Sequence, residues 1–139
     1  MKHRFEAEVF IGVKGLRTAY EKLFAGLNKE EEHVFFYVHK KEYADEADNF
    51  YFSISDILKK AKMRAVSNSE ARKSEFMKKV KYISSRYVNF PIPGNWEANR
   101  DMLLIVSWTK PVIGILIKSK SIVDEFKNYF ESVWKVAKP

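Results

Sequence analysis

No cysteine occurs among the 139 residues. Its absence excludes disulfides, thiolate metal sites and cysteine nucleophiles, and it leads to the expectation of a cytoplasmic protein. Histidine is scarce, with only His3, His33 and His39. There is no H-E-x-x-H and no carboxylate cluster at ligand spacing, so neither a metal nor a cofactor is expected. A P-loop and a G-x-S-x-G elbow are also missing, which removes the usual phosphate cradle and acyl-transfer nucleophile. No run approaches the roughly 18 apolar residues of a membrane span. "MKHRFEAEVF" turns acidic directly after its basic start, unlike a signal peptide. Five glycines and four prolines are too few for a linker or low-complexity tract, so one domain over 1–139 is expected.

What is present is a folding composition, 46% hydrophobic and 15% aromatic, with enough chain for a core. The net charge is +7, and its location is informative. Lys59, Lys60, Lys62, Arg64, Arg72, Lys73, Lys78, Lys79 and Lys81 face only Glu70 and Glu75 within residues 59–81, so that stretch holds the whole excess. It is either a solvated helix surface, with lysine stems covering apolar area, or a basic patch for nucleic acid or an acidic partner.

Hydrophobic spacing orders the elements. Residues 5–11 alternate in part and end at Gly12, as a strand would. Leu16, Ala19, Tyr20, Leu23 and Leu27 then recur at three and four, as on an amphipathic helix. Val34 to Val38 is a continuous apolar run, expected of a strand buried on both faces. Ala47, Phe50, Ile54, Ile57, Leu58 and Ala61 mark a second helix, and "MRAV" a short strand. Residues 67–79 are polar, a loop plus a short helix. "KYISSRYV" is a strand closed by "PIPG". Met102–Trp108 and Val112–Lys118 form a hairpin about "TKP". Ile122, Val123, Phe126, Tyr129, Phe130, Val133, Trp134 and Ala137 line one face of a closing helix, with Ser121 and Asp124 read as its capping box. The fold class expected is α/β, a mixed, mostly parallel sheet flanked by helices, ending in a β-hairpin and an amphipathic C-terminal helix.

Two short motifs suggest chemistry. "HKKEYADE" (residues 39–46) nearly spells the H-x-K-x-x-x-x-D of phospholipase D-type phosphodiesterases, whose histidine attacks phosphorus while the lysine holds the phosphate. Here Glu46 replaces the aspartate, no second H-x-K exists, and no G-S-x-N follows, so chance or a solvated loop is the expectation. "IGVKGLRT" (Ile11 to Thr18) echoes the G-x-x-G loop of KH domains. Its glycines are equally explained by a strand-to-helix turn.

From end to end the chain resembles the C-terminal domain of the archaeal TrmB-like transcription regulators, a degenerate phospholipase D-like domain that follows a winged helix-turn-helix. "EVFIGVKGLRTAYEKLF" is similar to that family's opening strand, Gly-x-x-Gly turn and helix. "HVFFYV", "FSISDILKKAKMRAV" and "VKYISSRYVNFPIP" look like its next elements, and "DMLLIVSWTKPVIGILIKSKSIVDEFKNYFESVWKVAK" like its hairpin and closing helix. The degenerate counterpart of the catalytic strand pair falls at "NWEANRDMLLIV". It carries Trp96, Glu97 and Ala98 where His-x-Lys would stand, and Asp101 alone keeps an acid at the turn.

The resemblance implies a non-catalytic effector-binding and dimerisation domain, not an enzyme. A small-molecule effector, a sugar or an anionic metabolite, would sit outside the carboxyl ends of the strands. His39, Lys41, Asn68 and Arg72 are the candidate ligand residues there, with exposed loop positions as the plain alternative. A homodimer is implied, through the hairpin and the aromatic face of the last helix unless that face packs on its own sheet. DNA would be reached only through a separate or missing helix-turn-helix.

Overall fold

The computed structural model describes residues 6–139; His3 lies outside them. A seven-stranded sheet runs through the molecule: β1 (Glu6–Ile11), β2 (Glu32–Tyr37), β3 (Lys62–Asn68), β4 (Ile83–Val88), β5 (Asn95–Asn99), β6 (Met102–Ser107) and β7 (Ile113–Lys118). The strand order is β1-β7-β6-β5-β2-β3-β4. The expected mixed α/β sheet is present, with one correction to "mostly parallel". β2, β3 and β4 are neighbouring parallel strands, but the other four ladders are antiparallel. Most strands do point one way; β5 and β7 run opposite and are inserted between them, so antiparallel contacts prevail.

β2 shows why its run is unbroken. Phe35 and Tyr37 join the core under α1 (Gly12–Phe24), α2 (Ala44–Ser53), α3 (Ser55–Leu58) and α4 (Glu75–Lys79). Val34 and Phe36 join the core under α5 (Lys120–Val136) on the other face. Alternation on a strand sends successive side chains to opposite faces, so a doubly covered strand is apolar throughout. Full burial of a side chain such as Phe36 contributes about 1.5–3 kcal/mol. The face of α5 read from spacing packs on its own sheet through Val123, Phe126, Phe130 and Val133, while Ile122 and Tyr129 stay exposed.

Three local expectations are corrected. The segment read as one helix from Ala47 to Ala61 is two, because Ile54 leaves helical geometry (φ −109°, ψ 17°). Ser53 Oγ donates back to Phe50 O at 2.6 Å, a bond that competes with the helical ladder. The cap of α5 is Ser119, whose Oγ accepts from Ile122 N at 3.3 Å; Asp124 instead pairs with Lys120 at 2.7 Å. β7 ends at Lys118, so the helix starts earlier than a Ser121 cap would allow. Finally, "NWEAN" is a strand, β5, which hydrophobic spacing does not mark, although the resemblance places a strand pair over "NWEANRDMLLIV". Gly12, with φ +81°, makes the turn from β1 into α1, a conformation that suits glycine.

Candidate functional site

Three chain segments meet at the carboxyl ends of β2 and β6 and the amino end of β5, enclosing a groove of about 510 Å³. Val38, Lys40 and Tyr43 come from the segment between β2 and α2. Pro91, Ile92, Gly94, Asn95 and Trp96 come from the β4–β5 loop and β5, and Ile105 to Thr109 from the end of β6 and its turn. The wall is fixed by side chain to backbone bonds. Asn95 Oδ1 accepts from Val38 N at 2.7 Å, and the Tyr43 hydroxyl donates to Val38 O at 2.7 Å. Burial raises the Tyr43 hydroxyl pKa above its ordinary value, so it stays a neutral donor. Tyr43 lies nearly parallel to Trp108, and Trp96 stacks on Phe126.

Among the groove's lining residues Lys40 is the one charged group, and no imidazole or carboxylate is present. The chemistry available is therefore stacking, apolar contact, hydrogen bonding from Ser107 and Thr109, and one ammonium. The lining thus holds hydroxyls and an ammonium, with no histidine or carboxylate beside them to take up a proton.

His39 and Asn68 are brought together, but back to back with the groove. Asn68 Oδ1 accepts from His39 N at 2.8 Å, and Asn68 Nδ2 donates to His39 O at 2.9 Å. This clamp ties the ends of β2 and β3 and holds the Val38–Lys40 segment. The His39 ring is buried, with Nδ1 3.4 Å from the Tyr37 hydroxyl. Lys41 is exposed and lines none of the described hollows. Arg72 sits at the β4 edge, stacked 4.0 Å above the Tyr87 ring and donating to the main-chain oxygen of Pro139 at 2.8 Å.

The strand pair that the resemblance places at "NWEANRDMLLIV" is the β5–β6 ladder. Glu97 points into the core beneath α1, where it accepts from Tyr20 and pairs with His33 Nε2 at 2.9 Å. Asp101 lies in the β5–β6 turn, at the end of β5 away from the groove. Tyr43 and Thr109 carry no sign in the sequence, and Trp96 stands out there only as a replacement within His-x-Lys, because the groove joins segments far apart in the chain. Its one local sign was the apolar-aromatic "PIPGNW".

The basic stretch is divided by the fold. Arg64 is held by Glu32 and Glu131 and lies over the rings of Phe130 and Trp134. Arg72 and Lys73 belong to the 3-10 turn Ser69–Lys73 beyond β3. The remaining six lysines flank the amino ends of β3 and β4.

Structural comparison follows from this geometry. The chain is similar to Nuc from Salmonella typhimurium, a phospholipase D family member, at 11% identity and a TM-score of 0.67 over 97% of each chain. The fold is phospholipase D-like. NucT from Helicobacter pylori is similar at 12% identity and 0.61, over 97% of this chain and 99% of that one. TrmBL2, an archaeal chromatin protein described as showing a novel mode of DNA binding, is similar at 14% identity and 0.58 over 99% of this chain. The present chain spans about half of TrmBL2, 54% of its length. No family model and no curated protein sequence matches. Among the described residues no helix is long and apolar enough to cross a membrane.

Proposed function

We propose that this chain is a non-catalytic ligand-binding domain of the TrmB-like regulator type, with the groove between β2, β5 and β6 as its ligand site. The lining carries the reading: aromatic and apolar walls, the hydroxyls of Tyr43, Ser107 and Thr109 and a single ammonium, with no histidine or carboxylate to act as a general base. A sugar or anionic metabolite matches that chemistry, one ring face on Trp96 or Tyr43 and an anionic or hydroxyl group on Lys40, Ser107 or Thr109. His39 and Asn68 act from behind by holding the backbone that carries Lys40. Lys41 and Arg72 take no part in the groove.

The partner is a second copy of the chain. The aromatic face of α5 is consumed by its own sheet, which leaves the aliphatic strip of β1 and β7 for that contact. Val9 faces Ile115 and Ile11 faces Ile113 in the ladder, and Val9 and Ile11 are 62% and 64% exposed. The strip carries no charge and can meet itself across a two-fold axis. Sequence-specific DNA contact in such a regulator belongs to a separate helix-turn-helix.

The test is a thermal-shift and tryptophan-fluorescence screen of sugars and anionic metabolites. A binder raises stability as RT ln(1 + [L]/Kd), quenches Trp96, and loses at least about tenfold in affinity in Lys40→Ala, the loss of one charge-assisted hydrogen bond. Turnover of a simple phosphodiester that disappears in His39→Ala would overturn the non-catalytic reading. Sedimentation as a monomer at high micromolar concentration would remove the dimer from it.

A further inference from the structure

The fold gathers six lysines at the end of the sheet opposite the groove. Lys59 and Lys60 follow α3, Lys62 opens β3, Lys78 and Lys79 close α4, and Lys81 precedes β4. β3 and β4 are parallel neighbours with Met63 opposite Ile83, so the chain enters both strands side by side. The Ser55 and Tyr82 hydroxyls, 2.9 Å apart, tie α3 to the same place. Lys79 Nζ lies 5.9 Å from the centre of the Phe52 ring, joining the end of α2 to it. All six ammonium groups are on exposed residues.

Countercharge is limited. Glu75 is shared by Lys78 and Lys79 at 3.7 and 3.6 Å, and Asp56 is the acid of the short α3. Glu31 and Glu32 stand beside Lys62 at the amino end of β2, but Arg100 and Arg64 engage them. Among the described residues, no carboxylate lies within 4.0 Å of Lys59, Lys60, Lys62 or Lys81. Like charges collected in this way repel, and a polyanion relieves the repulsion.

We propose that this surface docks the phosphate backbone of double-stranded nucleic acid without sequence preference. An acidic protein is disfavoured because the surface exposes one large apolar side chain, Phe52, with Lys79 over its ring, and no cluster of anchors of the kind that dominates protein interfaces. A membrane is disfavoured because no apolar helix face accompanies the charge. Single strands are disfavoured for want of stacking platforms. Tyr82 is half-buried with its hydroxyl engaged, and Phe52 packs edge-on against Phe76 at 5.3 Å. No sequence is read because the contacts are ammonium groups, while the two arginine forks of the 59–81 stretch, Arg64 and Arg72, are occupied elsewhere. The surface acts independently of any ligand in the groove.

Fluorescence anisotropy on two short duplexes of unrelated sequence tests this. Six phosphate contacts give a log-log salt slope of about −5, or about a thousandfold loss between 50 and 200 mM salt. The triple variant Lys59→Glu/Lys60→Glu/Lys62→Glu should flatten the slope to about −3 and weaken binding by more than about tenfold at low salt. Lys41→Glu/Lys110→Glu, exposed at the other end, should leave both unchanged. The corresponding Lys→Gln triple replaces the charge-reversal variant if circular dichroism shows the latter unfolded. Absence of duplex binding at 50 mM salt, or equal losses in the two sets of variants, overturns the proposal. So does tighter binding to a single strand of equal length, to polyglutamate or to phosphatidylserine vesicles, or a clear preference between the two duplexes.

Discussion

His33 and Glu97 form a buried pair, 2.9 Å apart, across the antiparallel contact of β2 and β5. The Tyr20 hydroxyl also donates to Glu97, and Asn99 Nδ2 lies 3.0 Å from His33 Nδ1. These partners dictate a tautomer in which Nε2 donates to Glu97 and Nδ1 accepts from Asn99. Burial, followed by the charge of Glu97, pushes the Tyr20 hydroxyl well above its ordinary pKa, so it remains a donor. Glu97→Ala leaves His33 Nε2 unpaired and Tyr20 with only the Tyr51 hydroxyl, 3.1 Å away, and should cost about 2–4 kcal/mol in urea unfolding, from the unpaired donor and the lost bonds to a charged acceptor. Glu97→Gln keeps one acceptor and should cost about 1–3 kcal/mol. A Glu97→Ala protein as stable as wild type would show the network to be dispensable.

Asp48 fastens the helical layer in a similar way. Oδ1 accepts from the Tyr37 hydroxyl at 2.9 Å and from Ser74 Oγ at 2.7 Å, while Oδ2 accepts from Glu75 N at 3.0 Å. Ser74 in turn caps α4 by accepting from Met77 N at 3.1 Å. A helix of five residues has little stability of its own, so this carboxylate holds it in place. Asp48→Ala should destabilise by about 3 kcal/mol, from the loss of hydrogen bonds to a charged acceptor. Hydrogen exchange should accelerate first at the amides of Met77, Lys78 and Val80, before the sheet is affected. Uniform acceleration across β2 and β3 would contradict a local role.

The contrast between those networks and the apolar elements explains what the sequence could be made to tell. β2, the β6–β7 hairpin and α5 are held by periodic apolar faces, and periodicity is visible in one dimension. β5 is not: Asn95, Glu97 and Asn99 alternate into the α1 core as polar groups, and each is tolerated only because Val38 N, His33 or Tyr20 meets it in three dimensions. A buried polar face reads as a loop, although the i, i+2, i+4 spacing of its three polar residues was a usable sign of a strand. The groove was legible only in its location at strand carboxyl ends. Of the four side-chain donors expected there, His39, Lys41, Asn68 and Arg72, Asn68 spends its amide on the His39 backbone and Arg72 its guanidinium on Tyr87 and Pro139. Charge ran the same way: composition located the excess at 59–81, but which cations stay exposed depends on the partners of Arg64 and Arg72.

Close approach of α1 to the sheet gives a sharper stability test. A Cβ built on Gly114 of β7 would lie 2.9 Å from Leu16 Cδ1 and 3.4 Å from Leu104 Cδ1. Both leucines are fully buried and have no free space to swing into. Gly114→Ala should therefore cost about 1–3 kcal/mol by overpacking. Gly94→Ala is the control, since nothing lies within 4 Å of its Cβ position, and should stay within about 0.5 kcal/mol. Combining Gly114→Ala with Leu16→Ala should cost less than the sum of the two singles, by about 0.5–3 kcal/mol of coupling. Strict additivity in thermal or urea unfolding would mean that the helix shifts instead of the side chain clashing.

Arg64 supplies the pH-dependent prediction. It donates to Glu32 from Nε at 2.8 Å and from Nη2 at 2.7 Å, and to Glu131 Oε1 from Nη1 at 2.9 Å. That last contact joins β3 to α5. The hydrogen bond from Arg64 holds the Glu131 carboxyl below its ordinary value of 4.5. A carboxylate lowered in the folded state adds stability that is complete above its unfolded pKa and disappears as pH falls through the folded one. Glu131 is 48% exposed and Arg64 19%, so solvent screening limits the ion pair to about 0.5–1 kcal/mol at neutral pH. Glu131→Gln should be less stable than wild type by that amount at about pH 7. The two melting curves should converge as pH is lowered below the ordinary glutamate range, and the gap at neutral pH should shrink with added salt. Arg64→Ala should cost more, about 1–2 kcal/mol, because its guanidinium also lies 4.9 Å from the centre of the Trp134 ring and its stem covers apolar surface. A Glu131→Gln gap that widens toward acid pH would reverse the sign of this linkage and assign the acid sensitivity to another carboxylate.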